Sequence, residues 1–204
     1  MGKAVNHVVG LYGWKGAGKT TALTLFMYLS MLQGFRDKQY SNYRLNMPFD
    51  WLNGKNMIEL DKTFDNSSIA IDELHEYADS RNSGTLQNKR VADFFLQSRH
   101  FNCDIYYTTQ YKDQVDKRIR RITDIDIICE NLFIDSDNDG DDDMFKMTIK
   151  DNRSTDANPA VKEIIFYAYP IFQMYDSTER INPFVLSKKE AKQWEENMAA
   201  ENSP

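Results

Sequence analysis

Along the first 130 residues of this 204-residue chain, short apolar runs alternate with helical spacings. That alternation predicts βαβ units feeding a mainly parallel sheet. Strands are predicted at His7 to Tyr12, Gln39 to Leu45, Ser68 to Ile71, Asp104 to Thr109 and Ile125 to Cys129. From Lys19, the residues Ala22, Leu25, Phe26, Leu29 and Leu32 recur at helical spacing, and Gly34 supplies a stop. A second helix is expected from Leu86 to His100, with Val91, Phe94 and Phe95 on its apolar side. The polar stretch from Pro48 to Ser67 reads as loop, with a turn at Asn53-Gly54.

Beyond residue 130 the pattern changes. Leu132 to Ile134 and Met144 to Ile149 read as two strands around an acidic tip, and Lys162 to Ala168 as a late strand. Ser187-Lys188-Lys189-Glu190 is a capping box that opens a charged C-terminal helix. The tip, Asp135 to Asp143, starts like a calcium-binding EF-hand loop. Its twelfth position is Lys146 and strands flank it, so an exposed hairpin tip is the expectation. No repeat or linker divides the chain, and a single domain spanning 1–204 is expected.

Composition narrows the class. The chain is 41% apolar and 27% charged, ordinary for a soluble globular protein. It carries no apolar run long enough for a membrane span and no visible secretory signal. Cys103 and Cys129 read as small buried residues of a reducing compartment. A net charge of −6 argues against a protein that coats nucleic acid over its whole surface. One basic segment stands out: Lys112, Lys117, Arg118, Arg120 and Arg121 against only Asp113 and Asp116. It is either a solvated helix face or a face toward phosphates, with Lys117, Arg118, Arg120 and Arg121 as candidate DNA contacts.

The chemistry concentrates in Gly13-Trp14-Lys15-Gly16-Ala17-Gly18-Lys19-Thr20, a complete Walker A loop between a strand and a helix. Successive backbone N–H groups in such a loop wrap phosphates, and the helix N-terminus adds a favourable dipole. Lys19 is expected to reach the β- and γ-phosphates of ATP or another NTP, and Thr20 to ligate Mg²⁺. Thr21 completes the nucleotide-binding set. Asp72 ends an apolar strand, expected to lie next to the loop's strand, and fits a metal-holding carboxylate. Glu73 after it is placed to orient and deprotonate an attacking water. Gln110, at the end of the Asp104–Thr109 strand, lies at the edge where ligands bind in open parallel sheets, placed to sense the γ-phosphate or to position the attacking water. Arg99 either bridges to an exposed sheet edge or stabilises transition-state charge in a neighbouring subunit.

Three segments, 13–21, Ile-Ala-Ile-Asp-Glu at 69–73 and Gln-Ser-Arg-His-Phe-Asn-Cys-Asp-Ile-Tyr-Tyr-Thr-Thr-Gln at 97–110, resemble the FtsK–HerA superfamily of DNA-pumping ATPases. With Tyr175-Asp176-Ser177-Thr178-Glu179, the chain is similar more narrowly to genome-packaging ATPases of membrane-containing icosahedral viruses, including turreted viruses of archaea. The resemblance implies a RecA-like, ASCE-type P-loop NTPase fold. It also implies a hexameric ring around double-stranded DNA, docking on a capsid or vertex protein, and residence in the host cytoplasm or at the packaging vertex. By the same resemblance Lys19, Glu73, Gln110 and Arg99 are the catalytic group, and Thr20 and Asp72 the metal residues. A separate DNA-reading or membrane-anchoring domain like that of cellular translocases is not expected within these residues. A small-molecule or nucleotide kinase is the competing class, although it does not need Glu73. A non-motor NTP-binding subunit is a further reading. No Asn-Lys-x-Asp segment favours a switch GTPase.

Overall fold

The computed structural model describes residues 6–59, 64–133, 143–156 and 160–176. The acidic tip up to residue 142 and the expected C-terminal helix lie outside them. The strands are β1 (Val8–Tyr12), β2 (Lys38–Ser41), β3 (Asp50–Trp51), β4 (Ser67–Ile71), β5 (Asp104–Thr109), β6 (Ile125–Phe133), β7 (Met144–Asp151) and β8 (Val161–Tyr167). They form one sheet in the order β3-β2-β4-β5-β1-β6-β7-β8. Pairing is parallel from β3 to β6 and antiparallel through β7 and β8. This is the RecA-like, ASCE-type P-loop NTPase fold, with a late hairpin added to its edge.

Strands β1 and β4 are buried at every position, as central strands covered on both faces must be. Alternation sorts their side chains into two cores. Val8, Tyr12, Ile69, Ile71, Ile105 and Tyr107 face α3 (Leu86–Gln97), whose Val91, Phe94 and Phe95 are fully buried as the spacing predicts. Ile119 of α4 (Lys117–Ile122) joins this core. Val9, Leu11, Ala70 and Ile127 face the other way, toward α1 (Lys19–Gln33) and Ile171 of α5 (Tyr169–Phe172).

Helix α1 stops at Gly34, whose φ of 61° is the left-handed C-cap expected there. Its buried face differs from the expected one. Ala22 is buried, but Leu29 and Leu32 are 39% and 61% exposed, and Leu23, Thr24, Met27 and Ser30 point inward instead. On this face Thr24 and Ser30 find hydroxyl partners, Tyr43 just past β2 at 3.0 Å and Ser68 of β4 at 2.6 Å.

Other boundaries also shift. Asn53-Gly54 is not a turn: Gly54 opens α2 (Gly54–Glu59), and Asn53 Oδ1 accepts the Asn56 N–H at 2.9 Å. The second strand ends at Ser41, and Leu45 instead forms an isolated bridge with Tyr175. Leu132 and Phe133 extend β6 rather than starting a new strand, because β7 pairs with β6 from Ile125 to Phe133 across a register shift at Leu132. Helix α3 ends at Gln97, where Ser98 caps it. The Asp72 strand is not adjacent to β1: β5 lies between them.

Candidate functional site

The loop from Gly13 to Gly18 leaves the carboxyl end of β1 and enters α1. Gly18 has φ 78°, and a Cβ there would lie 2.3 Å from Phe145 Cδ1, so both backbone and packing demand glycine. The Trp14 carbonyl accepts from the Ala17 N–H and from Lys19 Nζ, each at 3.1 Å, which holds the loop closed on itself. Lys19 is buried, whereas the Trp14 indole is exposed and meets Tyr111 edge-on.

Asp72 and Glu73 follow β4 at the same end of the sheet. The Thr20 hydroxyl donates to Asp72 Oδ2 at 3.0 Å, and the Thr108 hydroxyl donates to Oδ1. Thr108 also accepts the Glu73 N–H at 2.9 Å, so one hydroxyl sets both acidic residues. Asn42, just past β2, holds the Asp72 backbone from both sides: its Oδ1 accepts the N–H at 2.7 Å and its Nδ2 donates to the carbonyl at 2.8 Å. Burial pushes the Asp72 carboxyl pKa up. The Thr108 hydrogen bond opposes this, the Glu73 charge adds to it, and the Thr20 hydrogen bond and Lys19 charge lower it.

Glu73 stands in the left-handed region, φ 52° and ψ 52°, a strained conformation for a residue with a side chain. Its Oε2 is 3.2 Å from His75 Nδ1 and makes no hydrogen bond there. Lys19, Thr20, Asp72 and Glu73 line a cleft of about 320 Å³ together with Phe145, Phe172 and Tyr175. A hydroxyl and a carboxylate oxygen 3.0 Å apart form a hard-oxygen pair suited to Mg²⁺, which takes only one or two protein ligands beside phosphates and water. Among the described residues no cluster of three metal-binding side chains offers another site.

Gln110 follows Thr109, which pairs in register with Tyr12 just before the loop. The strand order therefore puts Gln110 beside Gly13 at this edge. Arg99 is elsewhere. It precedes β5 at the amino end of the sheet, 76% exposed, with Nη2 3.7 Å from Asp124 Oδ1. It lines a separate cleft with Arg120 and Arg121, and no residue of this second cleft belongs to the first.

The basic segment divides. The Arg118 guanidinium is held by Asp116 at 3.0 and 2.8 Å and by the Ser83 carbonyl at 3.1 Å, so it serves the fold rather than standing free. Lys112 pairs with Asp126. Lys117 and Arg121 are exposed, and Arg120 is half-buried.

A family model described as zonular occludens toxin (Zot) matches residues 49–180, more than half of the chain. The chain belongs to the Zot family. The matched region begins at β3, beyond the Gly13–Thr20 loop, and contains Asp72, Glu73, Arg99 and Gln110. Among solved structures, the N-terminal domain of zonular occludens toxin from Neisseria meningitidis is similar over 85% of this chain and 100% of that one, at 14% identity and a TM-score of 0.62. The genome packaging NTPase B204 of Sulfolobus turreted icosahedral virus 2, in complex with ATP-gammaS, is similar over 80% of this chain and 97% of that one, at 12% identity and 0.54. The DNA-packaging ATPase B204 of Sulfolobus Turreted Icosahedral Virus aligns over 77% and 96%, at 12% identity and 0.51. No curated protein sequence matches.

In this Zot-family chain, sequence reasoning missed Asn42, Thr108 and His75. Thr108 carried a signal, standing two residues before Gln110 at the end of a buried strand. Asn42 carried none, since its role depends on β2 lying beside β4. Both cysteines are buried and free, and burial pushes Cys129 up to about 12, so that thiol stays protonated.

Proposed function

We propose that this chain is an NTP-hydrolysing motor that moves double-stranded DNA, acting as a ring of subunits and packaging a viral genome into a preformed capsid. The observation that carries the reading is the Thr20–Asp72–Thr108–Glu73 chain of contacts at the mouth of the loop. The resemblance to FtsK–HerA pumps and the fold likeness to B204, described as a genome packaging NTPase, support it.

The Gly13–Thr21 backbone binds the triphosphate of ATP or another NTP. Lys19 leaves the Trp14 carbonyl for the β- and γ-phosphates, exchanging a weak neutral acceptor for a charged one. Thr20 and Asp72 hold Mg²⁺, which when bound neutralises phosphate charge. Thr108 keeps Asp72 oriented while it fixes the Glu73 backbone, so that Glu73 accepts a proton from the attacking water. Gln110 senses the γ-phosphate. Arg99 is too far around the sheet to serve its own loop, and acts in the next subunit. Exposed Lys117 and Arg121 touch DNA phosphates, with Arg120 beside them. Docking on a vertex protein and residence in the host cytoplasm complete the proposal.

The test is ATP turnover by the purified chain with and without duplex DNA. Turnover that rises with DNA, and falls by at least about a hundredfold in Glu73→Gln while nucleotide binding persists, supports the motor. Wild-type turnover in Glu73→Gln overturns the base assignment. Turnover that ignores DNA and requires a small hydroxylated acceptor supports a kinase instead.

A further inference from the structure

The cleft at the amino end of the sheet, about 430 Å³ in volume, is a second polar site that the loop chemistry does not use. Its cations are unevenly partnered. Arg153 is committed to Asp151 at 3.0 and 2.8 Å and to His7 at 3.0 Å, and Lys112 to Asp126. Three guanidiniums are not so committed. Arg121 is exposed and makes no hydrogen bond or ion pair with any described residue. Arg120 Nε is buried with no hydrogen-bond partner. Arg99 has only Asp124 Oδ1 at 3.7 Å, beyond hydrogen-bond reach, and the other Asp124 oxygen already accepts the Val8 N–H at 2.9 Å.

We infer that Arg99, Arg120 and Arg121 form one phosphate-binding site at the end of the sheet opposite the Gly13–Thr20 loop. Arg99 reaches Asp124 only at 3.7 Å, Arg121 has no partner among the described residues and Arg120 Nε has no hydrogen bond, so the three guanidiniums keep positive charge that an anion can take up. A phosphate group carries up to two charges on oxygens spaced for the forked N–H donors of arginine. The exposed Arg99 and Arg121 guanidiniums, without a hydrogen bond to a described residue, offer their N–H groups to phosphate oxygens, and Arg120 lines the same cleft. Arg99 on this reading is one member of a cluster, and two of the four residues expected to touch DNA, Arg120 and Arg121, are its neighbours. Two sources present this chemistry: the phosphodiester backbone of nucleic acid, and the triphosphate held by an adjacent copy of the chain.

The test uses the full chain carrying Lys19→Ala, which silences the loop and makes the outcome independent of the motor reading. Pyrophosphate titrated by calorimetry is expected to bind saturably, more weakly as salt rises. Arg99→Ala and Arg121→Ala, both at exposed positions where folding is not at risk, are each expected to weaken binding about tenfold. The matching lysine substitutions should restore part of it. Absence of saturable binding, or equal affinity in the Arg99→Ala/Arg121→Ala double variant, overturns the site. Displacement of the pyrophosphate by a short duplex assigns nucleic acid as the source. Displacement only by ATP-loaded Glu73→Gln chains that lack Arg99 and Arg121 assigns the neighbouring triphosphate. Displacement by neither rejects both of these sources.

Discussion

The two ends of the sheet use similar polar side chains in opposite ways. At the carboxyl end, Lys19, Asn42, Asp72 and Thr108 are buried and each is held by another member of the group or by the loop backbone. At the amino end, Arg99 and Arg121 stand in solvent and Arg120 keeps a buried donor without an acceptor. Groups whose geometry must be set before a reaction are fixed by their own chain, because reorienting them later costs rate. Groups left unsatisfied at a surface await something from outside the chain. On the proposed function, the fixed end carries the chemistry and the unsatisfied end meets a partner.

The largest expected effect tests whether the two ends meet between subunits. Arg99→Ala should bind nucleotide normally and hydrolyse it slower by on the order of 10³ to 10⁵, the range of arginine fingers. Mixed with Glu73→Gln chains, which keep Arg99, it should regain activity, because some interfaces then hold both intact groups. Mixed rings without rescue would separate Arg99 from catalysis.

Next in size is Gly18→Ala. It forces a side chain onto a left-handed position and into the Phe145 ring, at a cost of about 2–4 kcal/mol read by denaturant unfolding. Pairing it with Phe145→Ala should relieve the clash and leave the backbone strain, so the two substitutions should couple. Simple additivity would show that Phe145 does not press on the loop.

Thr108→Val removes one hydroxyl and keeps the shape. Turnover at saturating nucleotide should fall about tenfold to a hundredfold with nucleotide affinity little changed, since both acidic residues lose one orienting partner. A change in affinity alone would make Thr108 a binding residue.

The smallest effect concerns pH. Burial raises the Asp72 carboxyl pKa in the folded chain above its unfolded value. Below the ordinary carboxylate range both states are protonated and there is no penalty. As pH rises through the window between the two values, the unfolded chain releases its proton first, so stability falls, and above the raised value the penalty is constant. Asp72→Asn should therefore flatten this slope in thermal melts of the nucleotide-free chain and raise its Tm by a few degrees at neutral pH, by about 2–4 °C per kcal/mol. It should also abolish magnesium-dependent turnover. A lowered Tm would mean that the Thr20 and Thr108 hydrogen bonds outweigh the burial.

What could be read from sequence was local. A glycine-rich loop between a strand and a helix, and a carboxylate pair ending an apolar strand, are signatures within a few consecutive residues, so Gly13–Thr20, Asp72 and Glu73 were found without the fold. The strands β1, β4 and β5 were legible because each centres on a short apolar or aromatic run, Val8-Val9, Ile69-Ala70-Ile71 and Ile105-Tyr106-Tyr107, that a buried central strand favours. The inward face of α1 was legible only in part: Ala22 is buried and Leu25 and Phe26 pack against the core, but hydrophobicity also named Leu29 and Leu32, whereas Thr24 and Ser30 turn inward to the hydroxyls of Tyr43 and Ser68.

The sequence by itself determined which residues can bind phosphate and which can take a proton, because those capacities belong to side chains and short backbone motifs. Only the tertiary structure decided their company. The order β4-β5-β1 brings Thr108, 36 residues from Asp72 along the chain, onto both acidic residues, and the pairing of β2 with β4 brings in Asn42. The same sheet sends Arg99 to the opposite end from Lys19. Contacts of that range follow from strand order, and strand order is settled by the packing of the whole core.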